Sequence, residues 1–149
     1  MTAQIEAPSG ADMEKIALLL ACSQEIASEA LGQTMDASLD DLNRIQALLD
    51  EGIEGDQKTL ALQALGMTFG QVIATQNTDY DWWIIDDEDG RDPCLRFGET
   101  ELLIYPQTII SRRIEAGETV DVSALYHSLC EQLDEVAQHQ LSAHNPASH

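Results

Sequence analysis

An α+β fold is predicted by the way apolar residues recur along the chain. They fall at helical spacing up to about residue 77, in three short runs between Trp82 and Pro106, and at helical spacing again thereafter. The short runs, Trp82 to Ile85, Cys94 to Phe97 and Leu102 to Tyr105, are separated by two polar turns. That pattern describes a small antiparallel three-stranded β-meander, and the flanking segments supply about five helices to pack against it. A length of 149 residues, 44% of them hydrophobic and only four of them proline, suits one domain around a single core. Its expected limits are 9–140, with 1–8 a flexible arm ending in Pro8 and 141–149 a disordered tail.

Ser9 and Asp12 have the spacing of a capping box, and Met13, Ile16, Ala17, Leu20, Ala27 and Leu31 follow at helical intervals until Gly32 offers a stop. Ser38 and Asp41 repeat that spacing ahead of Leu42, Ile45 and Leu49, with Gly52 and Gly55 closing an amphipathic second helix. From Asp56, a good N-cap, to about Asn77 the residues are apolar nearly all round, so the third helix belongs in the middle of the protein. Gly66 and Gly70 interrupt it, each costing about 1 kcal/mol relative to alanine in an exposed helix interior. Spaced by four, they form one smooth stripe, which is best explained by close approach of a strand or another helix. Pro106 ends the third strand, and a short helix carries Ile109, Ile110, Arg112, Arg113 and Ile114 before Gly117. Asp121 caps the last helix. Val120 and Leu125 have the spacing of a hydrophobic staple, and Leu125, Leu129, Leu133 and Val136 form its buried stripe.

Charge limits the partners. There are 27 Asp and Glu against 7 Lys and Arg, a net charge of −20, and residues 1–90 hold 18 acids and 3 bases. Phosphate backbones and anionic lipid surfaces demand basic footprints, so nucleic acid and membrane are not expected partners; a basic protein is. No apolar stretch approaches the roughly 20 residues that span a bilayer, and no basic segment leads an apolar one at the N-terminus, which points to a cytoplasmic protein. Cys22, Cys94 and Cys130 are odd in number and without a Cys-x-x-Cys pair, as for reduced, mostly buried thiols.

The candidate site is the first turn of the meander, where Asp86, Asp87, Glu88 and Asp89 stand together and Asp89-Gly90 supplies the turn. The run does not have the spacing of a calcium loop, since Ile85 would take the first position and Arg96 the twelfth, and no metal or cofactor is expected. Trp82 and Trp83 are adjacent on a strand and must face opposite ways; strand runs apolar on both faces favour burial of both under cover on each side, and the alternative leaves Trp83 as a candidate anchor beside the acidic turn. Arg96, Arg112 and Arg113 offer an alternative, convergence on a small carboxylate or phosphate. Catalytic patterns are wanting: there is no nucleophile elbow, phosphate-binding glycine loop or His-Glu-x-x-His pair. His127 and Cys130, three apart on one helical face, lack an evident third ligand.

Leu65-Gly66 with Gly70, the run from Trp83 to Pro93, Tyr105-Pro106, the segment from Ile110 to Glu118, and Val120-Asp121 occur in one order. Together they resemble an uncharacterised bacterial domain family of unknown function, over roughly residues 60 to 135. The resemblance implies no catalytic residues, and it leaves the first two helices outside. The function expected from the sequence is therefore that of a non-enzymatic acidic protein-binding module, immunity or antitoxin-like, neutralising a basic partner. The alternative is a small-anion sensor or carrier with an arginine-lined pocket.

Overall fold

The computed structural model describes residues 4–77, 79–88, 90–98 and 103–143, with residue 133 and residues 136–143 described by backbone alone. In chain order they form β1 (Gln4–Glu6), α1 (Gly10–Leu31), α2 (Asp40–Glu51), α3 (Lys58–Gln76), β2 (Tyr80–Asp87), β3 (Gly90–Phe97), β4 (Leu103–Ile104), α4 (Pro106–Ile109), α5 (Ser111–Glu115) and α6 (Val122–Ala143). The class is α+β, as predicted. Only Ile110 separates α4 from α5, so the two amount to the one short helix expected there.

The sheet has four strands in the order β1-β2-β3-β4, all antiparallel, rather than three. β2 and β3 pair along their whole length, from Tyr80 opposite Phe97 to Asp87 opposite Gly90. The added strand comes from the supposed flexible arm: Gln4, Ile5 and Glu6 lie opposite Asp86, Ile85 and Ile84. Three residues are too few to register as an alternating strand, and what holds them is non-local. Arg91 on β3 reaches Glu6 at 2.9 Å, Asp12 of α1 at 2.8 Å and Asp86 of β2 at 3.0 Å, tying two N-terminal segments to the hairpin. At the other end, α6 continues to Ala143, three residues into the expected tail, and the rest of that tail lies outside the described residues.

α3 is the central helix. Leu62, Leu65, Met67, Phe69, Val72 and Ile73 are all fully buried, and Phe69 meets Tyr126 of α6 edge-to-face at 6.3 Å between ring centres. Its glycine stripe is a seat for α4. A Cβ on Gly66 would run into the carbonyl oxygen of Pro106, and one on Gly70 would come within 2.6 Å of the Pro106 ring and 3.1 Å of Trp82. The helical cost of two glycines is thus offset by close packing of a helix and a tryptophan.

The caps are mixed. Ser9 and Asp12 form the expected box, and Asp121 accepts from the Ala124 amide at 3.0 Å. Ser38 and Asp41 do not form a second box, since α2 starts at Asp40 behind Leu39 with no side-chain cap; the Asp41 carboxylate is fully buried and accepts from the Asp36 and Ala37 amides and from Arg44, closing the preceding loop instead. Asp56 does not cap α3 either, since that helix starts two residues later with no side-chain cap. Cys22, Cys94 and Cys130 are free. Among the described residues, no helix is long and apolar enough to cross a membrane.

Candidate functional site

Strand alternation divides the sheet into two unlike faces. Trp82, Ile84 and Asp86 turn toward the helices: Trp82 packs on the core and donates its indole N–H to Gln71 at 3.0 Å. Asp81, Trp83, Ile85 and Asp87 turn the other way. Register brings Ile5 beside Ile85, Cys94 beside Trp83, and Leu103 beside Arg96 on this second face. Ile5, Trp83, Ile85 and Leu103 are half-exposed and belong to neither core cluster, so they form an apolar strip across the free side of the sheet. The Arg96 guanidinium lies 4.6 Å from the centre of the Trp83 ring, a cation–π contact.

The acidic turn is split by the same alternation. Asp86 points to the helix side and is occupied by Arg91. Asp87 stays on the free face beside Ile85, and Glu88 sits in the turn. Asp89 lies outside the described residues.

Among the described residues β4 pairs with Leu95 and Arg96, and no strand lies beyond the first half of β3. There a cleft of about 260 Å³ opens between the strands and α4–α5, with Ile85 and Pro93 as apolar lining, Asp87 and Asp92 on the strand side, Tyr105 beside them and Arg112 on the helical side. Tyr105 is 43% exposed. Its phenol is pushed above the usual range, first by burial and then by its neighbours Cys94, Asp87 and Asp92. Burial pushes the fully buried Cys94 thiol up to about 11, which keeps it protonated and unreactive at neutral pH.

The three arginines proposed as an anion site do not share this cleft. Only Arg112 lines it, across from two carboxylates. Arg113 donates to the carbonyl of Ile109 at 3.0 Å, and Arg96 stacks on Trp83. His127 is bound through Nδ1 to the carbonyl of Ser123 at 2.8 Å, and the Cys130 thiol is raised, chiefly by burial. Sequence reasoning overlooked Asp92, Tyr105 and Ile85. The turn expected at Asp89-Gly90 would set Asp92 opposite Asp87; in the structure Gly90 is already paired with Asp87 in the sheet, and that register places Asp92 opposite Ile85.

Residues 41–126 match the family described as domain of unknown function (DUF3806). The match starts earlier than the resemblance noted from motifs and takes in α2 as well as α3 and the meander, while β1 and α1 precede it. No curated protein matches the chain. A crystal structure of a protein from Bacteroides thetaiotaomicron VPI-5482, at 1.50 Å, superposes with a TM-score of 0.80 over 89% of this chain and 48% of that one, at 18% identity. The likeness is one of fold, and the chain spans about half the length of that protein.

Proposed function

The chain belongs to that family of unknown function, and we propose that it is a non-enzymatic protein-binding module of a bacterial cytoplasm. In this reading it is immunity or antitoxin-like and neutralises a basic partner protein. The observation that carries the reading is the free face of the sheet, where Trp83 and Ile85 are half-exposed between Asp81, Asp87 and Asp92 in a protein of net charge −20. A large aromatic ring at the middle of a patch is the usual energetic centre of an interface. Acidic neighbours add selectivity, since they repel a second copy of the same face and attract a basic one. Opposite charge fields can raise association toward about 10⁸ M⁻¹s⁻¹ at low salt, which suits rapid neutralisation.

The test is affinity capture from native lysate with the wild-type protein, Trp83→Ala and Asp87→Asn side by side. The expected result is an identified protein in which Lys and Arg outnumber Asp and Glu, held by the wild type at low salt, released by high salt and lost with Trp83→Ala. Capture that Trp83→Ala leaves intact, or a captured partner with no basic excess, would refute the reading. Tight retention of a small anion, lost with Arg112→Ala, would favour the sensor instead.

A further inference from the structure

We propose that the cleft between β3 and α4–α5 receives an arginine side chain of the partner protein. The proposal rests on the protein-binding reading and gives it a point of entry. The cleft adjoins the free face, because Ile85 and Asp87 belong to both. Asp87 and Asp92 stand diagonally on neighbouring strands and line the cleft together with Tyr105, so the negative charge and the aromatic side chain share one cavity. Ile85 and Pro93 provide apolar surface for an aliphatic stem.

Those features favour guanidinium over ammonium. A planar fork offers two parallel N–H donors to carboxylates and stacks on an aromatic face, whereas an ammonium is a compact, strongly hydrated point charge. Arg112 stands on the helical side and opposes an incoming cation, which sets the direction of a second test: removing it should tighten binding rather than abolish it. That outcome is opposite to the one an anion site requires.

The probe is Nα-acetyl-arginine amide, which carries the side chain without a carboxylate, titrated into the whole protein and followed by backbone amide NMR. Nα-acetyl-lysine amide and the neutral norleucine analogue serve as comparisons. Saturable shifts are expected at Asp92, Thr108 and Arg112 with the arginine probe, weaker ones with lysine and none with norleucine. Asp92→Asn should weaken the probe about tenfold, the loss of one charge-assisted contact, while Trp83→Ala should leave its affinity unchanged. Asp92 is exposed, so its substitution leaves the fold intact, as an unchanged amide spectrum elsewhere would verify. Shifts spread evenly over the acidic surface, equal response to norleucine, or indifference to Asp92→Asn would overturn the proposal. If capture of a basic partner depends on Trp83 but not on Asp92, and the probe leaves the cleft unmoved, the cleft assignment fails and the binding reading stands. Cleft shifts with no basic protein captured would overturn the reading, and the proposal with it.

Discussion

Trp82 turns to the helices, where its N–H reaches Gln71 and its ring lies against Gly70, whereas Trp83 turns to the free side of the sheet and carries Arg96 on its face. The two are adjacent on one strand and similar in exposure. What separates them is what each is fixed by: Trp82 by the core, Trp83 by a surface arginine. The covered face has been spent on stability. The free face leaves an aromatic ring and a set of carboxylates with no role in the core, and this is where a binding role can be sought.

If that division holds, substitutions on the covered side should unfold the protein and those on the free side should not. The largest effect is expected at Gly66→Ala, which drives a methyl group into the carbonyl oxygen of Pro106, a backbone atom that cannot swing aside. A loss of about 3 kcal/mol is expected by urea unfolding; a loss below about 1 kcal/mol would mean that α4 is not seated as described. Trp82→Ala should follow at about 2 kcal/mol, below the range for a fully buried tryptophan because this one is only half-buried.

Arg91→Ala tests the clasp between the N-terminal segments and the hairpin, and its signature is in acid. The Asp12 carboxyl is held well below the usual carboxylate range, first by its hydrogen bond from Arg91 and then by the Ser9 amide. A depressed folded pKa contributes stability above the unfolded value of about 3.9, and that contribution is lost as pH falls through it toward the folded value. Stability of the wild type should therefore drop between about pH 5 and about pH 2, and the drop should shrink in Arg91→Ala. An acid limb unchanged by the substitution would remove Arg91 from the account. Trp83→Ala should have the smallest effect on folding, within about 1 kcal/mol, while abolishing partner capture. A destabilisation as large as that of Trp82→Ala would erase the contrast between the faces.

Much of this frame was legible in the sequence. Helical periodicity, the glycine stripe and the turn residues located α1, α3, the hairpin and the order of elements, because each is dictated by local spacing. Alternation established that Trp82 and Trp83 oppose one another but not which side the helices cover, a matter of tertiary packing. The acidic turn read as one unit of four charges; in the fold Asp86 is drawn to Arg91, a partner invisible in a list of local motifs because it also serves Glu6 and Asp12. β1 escaped notice for the same reason. The cleft beside Tyr105 depends on β4 ending at Ile104, which no propensity specifies.

The contact between Glu6 and Arg91 closes a loop of 85 residues, and the strand it secures is three residues long. Pairing so distant in sequence forms late, after local helices and the hairpin have assembled. Until then the outer edge of β2 presents unpaired amides and carbonyls to any passing chain, the usual opening for misassembly. Pairing of Gln4–Glu6 covers Ile84–Asp86 of that edge, the stretch next to the hairpin turn, and so withdraws its amides and carbonyls from such encounters.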